Sequence, residues 1–166
     1  MAATYTPIAT VTVTGSNLLG TTGVTFSSIP STYTDVILVQ SVAATAPAIA
    51  CIQVNGDTGT TYSQTSLSGN GSAASSSRTS STTLWRSDIA HLNTAWSNYI
   101  SQFQNYSNTT TYKTCLQRYN DTAFGTEAIV GLWRSTSAIN SIKVFMDRAE
   151  YYVVGSTFTL YGIQAA

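Results

Sequence analysis

Apolar and polar residues alternate along most of this chain, and this alternation restricts the possible folds more than any other feature. Successive side chains of a strand point to opposite faces, so a period of two predicts β-structure. Strands are predicted at 8–13, 24–26, 35–42, 48–54, 61–67, 84–89, 96–104, 112–119, 128–133, 138–145 and 157–163. Turn-forming clusters separate them at intervals of about 8–12 residues, and no segment shows a convincing helical stripe. The sequence therefore predicts an all-β fold, an antiparallel β-sandwich of jelly-roll-like organisation.

The length of 166 residues is that of one domain with a substantial core. Residues 1–20 are predicted to form an N-terminal arm with the first strand, and residues 21–166 a single β-sandwich domain. Within it, the β-branched run 35–42 (DVILVQSV) is predicted to be a buried central strand.

Two connections are predicted from local composition. Asn55, Gly56 and Asp57 accept the positive φ of a tight turn, which predicts a hairpin between 48–54 and 61–67. The segment 68–83 (SGNGSAASSSRTSSTT) is rich in Gly, Ser and Thr, and it is predicted to be a long polar loop. Loops of this length are often functional, so Asn70 and Arg78 become candidate contact residues.

Charged residues make up only 8% of the chain, against roughly 25% in ordinary soluble domains. Seven basic and seven acidic residues cancel, and the basic ones form no run. A nucleic-acid partner is therefore not expected, because phosphate binding requires a basic stripe. A net charge of zero offers little mutual repulsion, which favours association with other copies or other proteins.

The two cysteines, Cys51 and Cys115, lie in strand-like apolar runs, and they are predicted to be buried free thiols rather than a disulfide. The first residues show neither the basic segment nor the apolar core of a signal peptide, and no run approaches the roughly 18 apolar residues of a membrane span. These observations predict folding in a cytoplasm, without a membrane partner.

The sequence contains few residues in patterns that indicate a catalytic or metal site. His91, the single histidine, has Asp88 nearby, but serines are so abundant that a neighbouring serine does not indicate a triad. One histidine and two separated cysteines do not compose a usual zinc site, and the Asn and Asp residues at 55–57 and 120–121 are explained by turns. We therefore expect no enzyme activity, no cofactor and no metal.

Aromatic residues are the remaining candidates for binding, since tyrosine and tryptophan often anchor interfaces. The three tryptophans, Trp85, Trp96 and Trp133, lie in predicted strands and are expected in the core. Residues near turns or chain ends are expected to be exposed and to make subunit contacts, and these interface candidates are Tyr5, Pro7, Tyr33, Tyr106, Tyr151 and Tyr152.

Several segments, taken in order, resemble a known family. They are 24–30 (VTFSSIP) with 33–36 (YTDV), 54–57 (VNGD) with 62–63 (YS), 67–72 (LSGNGS), 105–108 (NYSN), 131–136 (GLWRST) and 155–163 (GSTFTLYGI). Together they resemble short virion proteins of tailed bacteriophages that infect cyanobacteria and other aquatic bacteria, a family that includes structural and fibre-like proteins. The resemblance covers about 23–163.

The resemblance implies a place in a phage particle, assembled in the host cytoplasm, and it implies no catalytic residues. Our first hypothesis is a capsid decoration (cement) protein, a homotrimer or dimer that bridges subunits of the major capsid protein. The alternative is a tail- or head-fibre tip that binds a host surface glycan through the 68–83 segment and exposed tyrosines.

Overall fold

Twelve strands form two antiparallel sheets in the computed structural model, which describes residues 4–15, 19–87, 92–121 and 125–164. In chain order they are β1 (Tyr5–Thr12), β2 (Val24–Phe26), β3 (Asp35–Val42), β4 (Ala50–Val54), β5 (Tyr62–Gly69), β6 (Ala74–Thr82), β7 (Trp85–Arg86), β8 (Ser97–Gln104), β9 (Lys113–Asp121), β10 (Gly125–Trp133), β11 (Ile142–Met146) and β12 (Thr157–Ile163). The larger sheet has the order β1-β12-β3-β8-β9-β10-β5-β6, and the smaller has the order β2-β11-β4-β7.

The two sheets pack face to face, so the predicted all-β antiparallel sandwich is confirmed. The described ranges contain no helix, and hence no helix that is long and apolar enough to cross a membrane. Residues 5–12, predicted as part of an arm and first strand, form β1, which pairs with β12 and so belongs to the larger sheet. The strand predicted at 35–42 is β3, buried between β12 and β8.

Trp85 lies at the centre of the core. Its indole ring is fully buried, meets Tyr62 edge-on at 5.2 Å between ring centroids, and lies 6.2 Å from Phe103. Gly131 of β10 provides the space, because a Cβ atom there would come within 2.6 Å of the indole Nε1. The Nε1 group donates to the carbonyl oxygens of Ser63 (3.2 Å) and Leu132 (3.3 Å), so this tryptophan is both packed and hydrogen-bonded.

The predicted loop at 68–83 is wrong, because these residues complete β5 and form β6. Asn70 makes the turn: its Oδ1 accepts the backbone N–H groups of Ser72 (2.9 Å) and Ala73 (2.8 Å). Serine hydroxyls then pair across the strands, with 2.7 Å between Ser66 and Ser77. Composition concealed this hairpin, because a strand with polar residues on both faces shows no alternation.

The predicted hairpin between 48–54 and 61–67 is also wrong, although its turn is confirmed. Asn55 and Gly56 both have positive φ, and the Asp57 N–H donates to the Val54 carbonyl oxygen at 3.0 Å. However, β4 belongs to the smaller sheet and β5 to the larger one, so the chain crosses between sheets here. The buried Tyr62 hydroxyl contacts both backbone groups of Val54, which ties the two sheets together at this crossing.

Cys51 and Cys115 are free and buried, as predicted. Burial, together with the nearby Asp147 carboxylate, raises the pKa of Cys51 to about 12, and burial raises the pKa of Cys115 well above its ordinary value. Because the thiolate is the reactive form, we expect neither thiol to react with a chromogenic disulfide reagent at pH 8 in the native protein. Both should react once guanidinium chloride unfolds it. Rapid reaction of either thiol before unfolding would contradict this burial.

Candidate interaction surface

The larger sheet is covered on one face by the smaller sheet, and its other face carries a contiguous set of apolar side chains. We call this second surface the outer face. Alternation along β10 shows it directly: Glu127, Ile129 and Gly131 are buried, whereas Ala128 and Val130 are exposed. The strand register places equivalent residues side by side, and the apolar residues of the outer face include Ile100, Leu116, Ala128, Val130, Leu132 and Leu67.

The most exposed of these residues are neighbours. Leu67 is 62% exposed and lies opposite Ala128, whereas Val130 is 56% exposed and lies opposite Leu116. Ala128 and Val130 are two residues apart on one strand, so the four side chains form a continuous strip across β5, β10 and β9. Contiguous apolar surface of this kind marks interaction sites more often than scattered single residues do.

Charge on the outer face is sparse. In the described part of the chain, we place Asp35, Arg78 and Arg118 there. The Asp35 carboxylate accepts hydrogen bonds from the Gln102 amide (3.0 Å) and the Asn105 N–H (2.8 Å). Arg118 lies opposite Ile100 on one side and Ala128 on the other, beside a depression of about 440 Å³ that Leu67 also lines. A partner surface therefore meets mainly apolar and hydroxyl groups.

Two of the predicted interface residues are corrected by the structure, because Tyr106 and Tyr152 are fully buried. The Tyr106 hydroxyl donates to the Pro30 carbonyl oxygen, and the Tyr152 ring meets Phe158 edge-on at 4.8 Å. Proximity to a turn is a poor guide to exposure for tyrosine, since the ring can reach back into the core while its hydroxyl finds a backbone acceptor.

The other candidates are accessible but scattered. Tyr5 (56% exposed) and Pro7 lie on β1, whereas Asn70 and Arg78 lie at or in β6, the opposite edge of the same sheet. Tyr33 is half-buried against the backbone of Gly162, and Tyr151 (46% exposed) lies in the connection before β12. The structure therefore does not gather them into one site.

Trp96 was predicted in the core together with Trp85 and Trp133, and this is wrong for Trp96, which is 49% exposed. Its ring edge lies beside Gly155, whose neighbour Val154 is 54% exposed. The other two tryptophans are buried, as predicted.

Sequence reasoning missed Leu67 and Val130. The signal was present in 128–133 (AIVGLW), where Val130 alternates with the core residues Ile129 and Gly131. A strand that is apolar on both faces is typical of a sheet that is covered by other protein surfaces on both sides. The smaller sheet covers only one of these faces.

Carboxylates also occur inside the sandwich. Asp121 and Glu127 are 4% and 3% exposed, and the Asn93 amide donates to Asp121 at 2.6 Å. Burial, and next the Asp121 charge, raises the pKa of the enclosed Tyr99. Glycoside hydrolysis needs two carboxylates that flank a bound sugar, and these two are enclosed by the core. We therefore assign this polar cluster to the core.

The catalytic hypothesis for His91 and Asp88 falls on residues outside the described ranges. Within those ranges, no group of three or more histidine, cysteine, aspartate or glutamate side chains is placed to hold a metal ion.

Comparison with protein-family models, with curated proteins and with solved structures finds no match to this chain.

Proposed function

We propose that this chain is a structural protein of a bacteriophage particle, a capsid decoration protein whose outer face lies against the major capsid protein. The observation that carries the proposal is the exposed apolar strip of Leu67, Ala128, Val130 and Leu116 on a face with few charges. A rigid sandwich with such a face can lie across the junction of several subunits without changing its own shape.

The size of the outer face is adequate for this role. The larger sheet has eight strands about 4.8 Å apart, and each strand is about eight residues long at about 3.4 Å per residue. These dimensions give a footprint of about 1,000 Å². A standard protein–protein interface buries about 800 Å² on each partner. The face therefore suffices for one stable interface, and contact with more than one capsid subunit would add avidity without any new chemistry.

The test uses capsids assembled without this chain from the major capsid protein encoded in the same genome. The protein should bind them, and the decorated capsids should resist heat better than bare ones. Leu67→Glu or Val130→Glu should weaken binding about 100-fold, because each would bury an unpaired charge at the interface. Thr109→Glu is the matched control, since it adds the same charge to an exposed turn outside the outer face.

The melting temperatures of all three variants should stay near that of the wild type, because each replaced side chain is exposed. Binding that is equal for Leu67→Glu and Thr109→Glu, or decorated capsids no more robust than bare ones, would overturn the proposal.

A second candidate function is binding of a host surface glycan by a fibre tip, and the observation that favours it is the half-exposed Trp96, whose ring edge lies beside Gly155. An exposed indole can stack on a sugar ring. If this candidate is correct, the protein binds host cells, Trp96→Ala abolishes that binding, and Val130→Glu leaves it unchanged.

A further inference from the structure

The four edges of the two sheets differ in how well they are protected. Free backbone groups on an edge strand are a template for pairing with another chain, and proteins usually block them with short strands, prolines, bulges or charges. In the smaller sheet, β2 has three residues and β7 has two. At one edge of the larger sheet, β1 contains Pro7 and a register shift between Pro7 and Ala9.

The remaining edge, β6, is the least protected of the four, because its register shift lies at its far end, at Ser81. It is nine residues long, contains no proline, and is regularly paired with β5 from Ser63–Ser80 to Gly69–Ala74. Arg78 is its single charged residue, and all nine side chains are exposed or half-exposed. A long, solvent-facing edge with a single charge is unusual in a protein that otherwise protects its edges, so this edge is the best candidate for pairing with another strand.

The alternation of hydrogen-bonded and non-hydrogen-bonded pairs between β5 and β6 identifies the backbone groups of β6 that face outward. The Asn70 N–H donates to the Ala73 carbonyl oxygen at 3.1 Å, so Asn70 and Ala73 are a hydrogen-bonded pair. Such pairs alternate along an antiparallel ladder. Ser75, Ser77 and Thr79 therefore bond to β5, and the N–H and C=O groups of Ala74, Ser76, Arg78 and Ser80 point away from the sheet.

We propose that β6 pairs antiparallel with β6 of a second copy, which joins two larger sheets edge to edge around a two-fold axis. The outward residues of one copy then pair with the outward residues of the other. Their side chains lie on the outer face in both copies, because Arg78 and Ser76 are opposite Thr65 and Leu67. Both outer faces consequently point the same way, as two copies on one capsid surface require; this inference rests on the proposed function.

Charge and strand ends select the register. A register that places Arg78 against the partner's Arg78 is disfavoured, because like charges directly opposite each other repel. Positive φ at Gly71 and Ser81 marks the two ends of the regular strand. The register centred on Ser77 uses all four outward residues, pairs Ala74 with the partner's Ser80, and places Arg78 opposite the partner's Ser76.

The size of the contact explains why the pairing would operate in an assembly. Nine residues at about 3.4 Å each, in a layer about 10 Å thick, give about 300 Å² per copy, well below the 800 Å² of a standard interface. The pairing is therefore weak in dilute solution, and it strengthens when the capsid holds two copies side by side and raises their effective concentration.

Disulfide capture detects weak pairing in solution and reports its register. At the two-fold axis, Ser77 and the partner's Ser77 face each other, with Cα atoms about 4.5 Å apart in a pair of this type. Under mild oxidation, Ser77→Cys should form covalent dimers at least about tenfold faster than Ser75→Cys. The two variants are matched, since both residues are exposed and lie on the same face of β6. Each hydroxyl also hydrogen-bonds one serine of β5, Ser77 to Ser66 and Ser75 to Ser68. The native cysteines are buried and do not compete.

A proline scan gives a second readout. Ser76→Pro removes an outward N–H without breaking the ladder to β5, and it should abolish the rise in average mass with concentration in sedimentation equilibrium, whereas Ser76→Ala should not. Equal crosslinking of the two cysteine variants, or self-association unchanged by Ser76→Pro, would overturn the pairing. If Ser77→Cys forms disulfide-linked dimers but the protein does not bind capsids, the β6 pairing is supported and the proposed decoration function is rejected.

Discussion

Replacement of Trp85 by alanine is expected to lower the free energy of unfolding by about 4 kcal/mol. The indole is fully buried between the sheets, contacts Tyr62 and Phe103, and lies directly against Gly131. Its removal leaves a cavity that the surrounding strands cannot close, because the ladders on both sides fix their positions. It also deprives the Ser63 and Leu132 carbonyl oxygens of the Nε1 donor. Urea unfolding followed by far-ultraviolet circular dichroism measures the loss.

Trp96→Ala is the matched control, because it makes the same chemical change at a side chain that is 49% exposed. Its cost should stay below about 1 kcal/mol. Gly131→Ala tests the same contact from the other side: a methyl group within 2.6 Å of Nε1 overpacks the site and should cost about 1–3 kcal/mol. Equal losses for Trp85→Ala and Trp96→Ala would contradict the described core.

Asp57→Asn is expected to lower the free energy of unfolding by about 2 kcal/mol at pH 7, with a difference that fades in acid. The carboxylate accepts hydrogen bonds from the Trp133 Nε1 (2.6 Å), the Thr61 hydroxyl (2.7 Å) and the Gly59 N–H (2.8 Å). Burial raises the pKa of Asp57, but these three hydrogen bonds together outweigh it, so the pKa is lowered on balance.

The sign of the pH dependence follows from that lowered pKa. The folded protein holds the Asp57 proton less tightly than the unfolded chain does, so the stabilisation is fully present above the ordinary aspartate pKa of about 4. It is lost as the pH falls through the folded-state value. Urea unfolding of the wild type and Asp57→Asn from pH 7 to pH 2 should therefore give curves that converge at the acid end. Trp133→Phe, which removes one donor, should raise the Asp57 pKa measured by NMR. A constant difference between the two proteins across this range would exclude the carboxylate as its origin.

The strands that could be predicted best are those with one apolar face or two. The predicted bounds of β2, β3 and β12 agree with the structure, because β-branched residues and clear turn signals define them. By contrast, β6 could not be predicted from alternation, since Ser and Thr occupy both of its faces. Its partner β5 and the Asn70 turn define it, and neither is visible in the composition of the segment.

The candidate surface could be predicted only in part. The scarcity of charge and the abundance of hydroxyl groups correctly describe the outer face, but the most exposed members of its apolar strip are Leu67 and Val130 rather than tyrosines. Tyr106 and Tyr152 show why residue type misleads, because both rings fill the core. A tyrosine near a turn can point either way, and packing against the opposite sheet decides which.

The sequence by itself determined that this chain is a β-sandwich with two buried thiols, because side-chain alternation and turn residues act locally. Only the tertiary structure decided which sheet each strand joins, as the crossing after Val54 shows, and therefore which face of each strand is covered. The physical reason is that alternation defines two faces of a strand but does not specify which of them finds a partner. Eight strands lie over four, and the surfaces left uncovered, the outer face and the β6 edge, are a property of that unequal pairing.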